Sequence, residues 1–160
     1  MKIKLFPFNL KYAGWLLLLI GLVMGYFVSF KHFMPDYLNI PVFAIYSAYM
    51  EKIVMGFTQT NLADEIAVVF ILSGLAILTF TKQHEEKDIY MKLRAESMFI
   101  SVAINTIGFI LLTLLVFGLG YVKIVFLNIF SLFIFYLIVF NLSLVRFKRK
   151  RNSQRFQMDK

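Results

Sequence analysis

The chain has 160 residues, of which 60% are apolar and 16% charged, and a formal net charge of +8. The length suits one domain, and the charged fraction falls well below the roughly 25% of a soluble domain. No cysteine is present, which excludes disulfides, thiolate catalysis and zinc–sulfur sites.

A short arm carrying Lys2, Lys4 and Lys11 leads into the first apolar run, residues 12–30. A helix needs about 20 apolar residues to cross a bilayer core, and this run qualifies. Lysines before an apolar stretch resemble a signal peptide, but the run exceeds the usual h-region of about 7–15 residues. The flank Val28-Ser29-Phe30-Lys31-His32 holds no small-x-small cleavage site, so an uncleaved span is expected. Gly21, Gly25 and Ser29 recur at i,i+4 and form a small-residue stripe. Such stripes let membrane helices approach closely, within one chain or between two copies.

Residues 31–61 are too apolar for a free loop and too short to span. Pro41 and the β-branched residues after it predict an extended piece over Val42–Ser47. Ala48–Phe57 then reads as one or two turns of helix. The segment is expected to fold over the outer end of the helices, where it could also offer a partner or ligand surface.

The second run covers residues 62–81. Asn61 is a candidate cap, and Asp64 and Glu65 fall in the first turn, where carboxylates favour a helix N-terminus. Glu65 is the acidic group nearest to membrane depth and the candidate interface acid for chemistry on lipid.

Acidic Glu85, Glu86 and Asp88 suit the start of another helix. Asp88 with Lys92, and Lys92 with Glu96, have i,i+4 spacing. One long helix is expected from Glu85 to Phe117, roughly 50 Å in length. Its first turns, residues 85–97, would project into the cytoplasm as a solvated charged end. The cluster from His84 to Asp88 lacks the one-faced spacing of a metal motif, and His32 lies in a different connection. No metal or cofactor is expected.

The third and fourth runs, residues 98–119 and 122–145, are parted by Gly118-Leu119-Gly120-Tyr121, a link that predicts an antiparallel helical hairpin. Ser97, Ser101 and Asn105 lie at i,i+4 on the third run, with Thr113 further along; the fourth holds Asn128 and Asn141. Buried amides in hydrocarbon need partners. Depth along the spans suggests Asn105 with Asn141 and Thr113 with Asn128. Structural glue is the plain role, and lining of a polar pathway the alternative. No Lys, Arg, Asp or Glu sits mid-span, which argues against a proton-coupled pump.

The tail, residues 146–160, carries Arg146, Lys148, Arg149, Lys150 and Arg151 in close succession, with Arg155 and Lys160 beyond. A basic cluster beside a span attracts anionic lipid by about 1 kcal/mol per residue. The placement of the charge favours membrane contact over nucleic acid. The arm, the middle connection (Lys82, Lys87, Lys92 and Arg94) and the tail hold the basic residues, against only Lys31, Lys52 and Lys123 elsewhere. Basic residues stay on the cytoplasmic side, so both termini and the middle connection are expected there.

Four runs taken together resemble a family: Pro35-Asp36-Tyr37-Leu38, Val42-Phe43-Ala44-Ile45-Tyr46-Ser47, Asp64-Glu65-Ile66-Ala67 and Lys92-Leu93-Arg94-Ala95-Glu96-Ser97. In order and spacing they are similar to small four-span inner-membrane proteins of Bacteroidetes-type bacteria. The resemblance implies a topology and a bacterial inner-membrane location, with no active residues.

The sequence therefore predicts an all-α membrane protein: a single domain, a four-transmembrane-helix bundle with both termini cytoplasmic, and an outer segment holding a strand or short helix. Gly-rich phosphate loops, HExxH and GxSxG are missing. A non-enzymatic scaffold, sensor or accessory subunit is the leading expectation. An oligomeric transporter or channel, or a lipid-directed enzyme near Glu65, are the alternatives. The expected partners are the bilayer, anionic lipid at the tail, and a second copy or another membrane protein.

Overall fold

The computed structural model describes residues 5–31, 35–47, 53–83 and 88–158. Along the chain come α1 (Leu10–Lys31), a 3-10 turn (Asp36–Leu38), β1 (Asn39–Ser47) and β2 (Ile53–Asn61). Three helices follow: α2 (Ala63–Phe80), α3 (Asp88–Leu115) and α4 (Leu119–Met158). All four helices are long and apolar enough to cross a membrane, which makes the chain a multi-pass integral membrane protein. Large apolar side chains such as Phe99, Ile107, Leu114 and Leu127 stay exposed along α3 and α4, as lipid-facing residues do. On α1 the exposed Tyr12 and Trp15 sit near one end and Tyr26, Phe27 and Phe30 near the other. Aromatic rings collect at the two membrane–water boundaries, and Tyr12 to Phe30 covers roughly 27 Å of helix axis.

The chain divides into two compact units, Tyr12–Gly74 and the described residues of Met1–Lys11 with Leu75–Lys160. In the first unit α1 and α2 meet where side chains are missing. Gly14 and Gly21 are buried on α1. A methyl group at Gly21 would lie 2.7 Å from the Ile71 amide nitrogen. One at Gly74 would lie 2.7 Å from the Leu18 nitrogen and 2.9 Å from the Gly14 carbonyl oxygen. Lipid supplies no hydrophobic drive between helices, so backbone approach of this kind is a main source of their attraction.

The connection from α1 to α2 forms an antiparallel hairpin, with register from Asn39↔Asn61 to Ser47↔Ile53. Phe43 and Phe57 stack edge to face across it, centroids 5.6 Å apart. Asn61 ties the hairpin down: its Nδ2 donates to the Pro35 carbonyl (3.0 Å) and its Oδ1 accepts from the Ala63 amide (3.1 Å). Helical turns over Ala48–Phe57 are not what forms. From Ile53 onward the backbone is strand, and residues 48–52 lie outside the described residues. Gly56, Thr58 and Thr60 are weak helix formers, and β1 offers them a ladder of backbone bonds.

In the second unit α3 and α4 are antiparallel partners joined through Val116-Phe117-Gly118. Gly118 has φ +70°, the left-handed conformation that ends helices and that glycine adopts without steric cost. Tyr90, Tyr136, Phe140 and Leu144 form the buried cluster, with Leu93, Leu137 and Phe147 against it. The expected start of α3 at Glu85 falls outside the described residues, as does the cluster from His84 to Lys87; helix is present from Asp88. With 40 residues, α4 runs roughly 60 Å, about twice the bilayer core, and carries the basic stretch as unbroken helix.

Candidate functional site

In the second unit, Arg94 is a buried and multiply bonded cation. It lies on the α3 stripe Tyr90, Arg94, Ser97, Ser101, Asn105, whose i,i+3 and i,i+4 spacing sets all five on one helix face. Its side chain is only 8% exposed. Nη1 donates to the Thr79 carbonyl (3.0 Å) and Nη2 to the Thr81 carbonyl (2.7 Å). The Tyr136 hydroxyl is 3.4 Å from Nη1, and the guanidinium lies 4.7 Å above the Phe140 ring.

These bonds finish α2. A helix leaves its last four carbonyls without helical partners, and cations suit that end. Here Thr81 Oγ1 donates to the Ile77 carbonyl (2.5 Å), Arg94 takes Thr79 and Thr81, and the Phe6 amide takes Phe80 (3.0 Å). The planar fork of arginine reaches two carbonyls at once, which a lysine point charge cannot reproduce. The solvated charged end expected over residues 85–97 is thus corrected for Arg94, which is buried along with Tyr90, Ser97 and Ser101. In the count of basic residues alone, Arg94 is indistinguishable from a topology signal. The stripe of Tyr90, Arg94 and Ser97 with the helix-ending Thr81-Lys82 was the available clue.

The polar residues of the spans bond differently from the depth-based pairing. Ser131 Oγ donates to Asn105 Oδ1 across the α3–α4 hairpin, and the Asn128 carbonyl lies 3.0 Å from the same hydroxyl. Asn141 is exposed and its Nδ2 returns to the Leu137 carbonyl of its own helix (2.7 Å). Thr113 Oγ1 likewise returns to the Phe109 carbonyl (2.8 Å), and Ser101 Oγ to the Ser97 carbonyl (2.6 Å). Asn105 and Ser131 are equidistant in sequence from Gly118, the helical break. Counting from that break, rather than from the ends of the apolar runs, gives the right partner. Ser97 and Ser101, on the same face of α3, are fully buried.

On α1, Gly21 faces α2 within the chain, Gly25 has only Ile71 Cδ1 at 3.9 Å, and Ser29 is exposed. The small-residue contact therefore shifts toward the N-terminal end of α1 and adds Gly14 and, from α2, Gly74. A single glycine on the second helix carries no i,i+4 pattern, which hid it.

Glu65 is exposed on the first turn of α2. Near it lies a cavity of about 440 Å³, bounded by Val23, Phe27 and Val28 of α1, Pro35, Leu38 and Ala63. Tyr37 also lines it, and no carboxylate belongs to that wall among the described residues, so the cavity is mainly apolar and suits apolar groups. His/Cys/Asp/Glu clusters able to hold a metal are also missing among the described residues. Arg146, Lys148, Arg149 and Lys150 are exposed on α4, and Arg151 is half-buried.

Comparison of the chain with protein-family models, curated proteins and solved structures gave no match.

Proposed function

We propose that the chain is a non-enzymatic scaffold or accessory subunit of a bacterial inner membrane, akin to the small four-span proteins of Bacteroidetes-type bacteria. Its four spans would form an anchor with both termini and the α2–α3 connection cytoplasmic. The hairpin of β1 and β2 would face outward. The basic end of α4 would lie against anionic lipid at the inner face, where Arg146, Lys148, Arg149, Lys150 and Arg151 neutralise headgroups.

One observation carries this reading. Among the described residues of α3 and α4, the side chains of Arg94, Asn105, Ser131, Thr113 and Asn141 bond to the protein's own backbone or across the helical hairpin. A transport path needs such groups turned toward a polar passage. Here they finish helices and join helix pairs, which is what an anchor requires.

The test is reconstitution into liposomes with encapsulated ion-sensitive dye. A scaffold leaves ion and proton leak at the level of protein-free vesicles. Leak that rises in proportion to the protein incorporated overturns the reading and favours the transporter.

A further inference from the structure

The glycine seam between α1 and α2 loosens toward the hairpin. A methyl at Gly21 would lie 2.7 Å from the Ile71 amide nitrogen, whereas one at Gly25 meets only Ile71 Cδ1, at 3.9 Å. The cavity of about 440 Å³ begins where the seam loosens. Its α1 wall runs from Val23 to Val28, Pro35 and Leu38 stand ahead of β1, and Ala63 opens α2. Ala63 is only 2% exposed and closes one side. Val23 and Phe27, one turn apart on α1, are both 47% exposed, so the cavity opens on the surface of a spanning helix.

Hydrogen bonds within the chain hold that wall in place. Asn61 Nδ2 donates to the Pro35 carbonyl and Asn61 Oδ1 accepts from the Ala63 amide. The Leu62 amide donates to the Leu38 carbonyl (3.2 Å). Three lining residues are thus tied together by bonds that need no occupant. Preformed, mainly apolar pockets of about 300–1,000 Å³ are the usual form of small-molecule sites.

The surroundings select the occupant. An ordered water needs about two to four polar partners, which this wall does not supply. Left empty, the space deprives its lining of dispersion contacts. At the depth of a spanning helix the apolar molecule at hand is a lipid acyl chain. The charges next to the lining residues select the headgroup. Asp36 lies between Pro35 and Tyr37, Asp64 and Glu65 directly follow Ala63, and Lys31 ends α1; all four are exposed. Three carboxylates against one ammonium disfavour an anionic headgroup and complement one that carries its own ammonium beside the phosphate.

We propose that the cavity is a lipid site, which seats one acyl chain of a zwitterionic phospholipid with an ethanolamine-type headgroup. The lipid belongs to the leaflet on the hairpin side, and its ammonium lies on the side of Asp36, Asp64 and Glu65. Asn61 is a positioning residue that keeps the wall open. The site goes beyond the scaffold reading and holds for either orientation of the chain in the bilayer, so the two fail separately.

The test places the full chain in nanodiscs that contain phosphatidylethanolamine with a diazirine midway along one acyl chain. After illumination, cross-links are mapped by peptide mass spectrometry. Labelling of residues 23–28 and 63 is expected to exceed that of the lipid-exposed Ile107 and Leu114 severalfold. Val23→Trp fills the cavity from its exposed side and should bring this labelling down to the level of α3. Should it also lower the unfolding temperature, Val23→Phe makes the same test with a smaller ring. Leu127→Trp, on the exposed face of α4, should leave it unchanged. Asp64→Asn with Glu65→Gln should lower the preference for this probe over a phosphatidylglycerol probe of the same chain about fivefold per charge removed. Even labelling along all four spans, or excess labelling that survives both Val23 variants, overturns the site. A wild type labelled as strongly by the phosphatidylglycerol probe, or by a diazirine fatty acid, overturns the headgroup assignment.

Discussion

The contact between α1 and α2 and the contact between α3 and α4 are made by opposite means. The first depends on side chains that are absent: Gly14, Gly21 and Gly74 let backbone touch backbone. The second depends on large and polar side chains, with Tyr136 and Phe140 stacked at 5.7 Å and Arg94 over the Phe140 ring. Lipid-immersed helices have both routes open, close approach or strong side-chain bonds, because apolar burial against apolar lipid gains little. The two routes fail differently. A glycine seam is broken by adding one atom, an arginine lock by removing one group.

Substitution separates the two routes, and the largest effect is expected at Arg94. Arg94→Gln leaves carbonyls at the end of α2 without their donor, at a cost of about 3 kcal/mol, since charged hydrogen bonds are worth roughly 1.5–3 kcal/mol each. Thermal unfolding in detergent should fall accordingly, and Arg94→Lys should recover only part of the loss. Next comes Gly74→Ala, whose methyl meets backbone atoms that cannot swing aside. Overpacking of this kind costs about 1–3 kcal/mol. Gly108→Ala is its control: a methyl there meets nothing within 4 Å, and helix propensity alone makes the variant neutral or more stable by about 1 kcal/mol.

Smaller effects test the partner assignments. Asn105→Val and Ser131→Ala should each cost about 0.6 kcal/mol, the average for interhelical hydrogen bonds in membranes, and the double variant should cost less than their sum. Asn141→Leu should change stability by no more than about 0.5 kcal/mol, because the exposed amide bonds only within its own turn. A cycle coupling Asn105 to Asn141 instead would contradict the observed register.

The spans were legible because hydropathy over 20 residues is a strong signal that local detail hardly changes. The pairing of side chains was not, since it depends on register, and register was fixed by Gly118 rather than by the ends of the apolar runs. Arg94 was hidden by a different ambiguity. A basic residue beside a span reads the same in sequence whether it faces water or caps a neighbouring helix. In β2, sequence rules favoured helix over residues that strand pairing claims, because the ladder with β1 is a contact no local window contains. Gly21 was legible by its spacing, while Gly74 became visible only from the 2.7 Å approach of Leu18.

The central proposal is that four helices cross the membrane with the hairpin outside and the basic end of α4 inside. Single cysteines in this cysteine-free chain measure it directly. Gln59→Cys should react with a membrane-impermeant maleimide added outside intact bacterial cells that have a permeable outer layer. Ser153→Cys should react only once the inner face is opened. Labelling of both positions from the same side would contradict the claim.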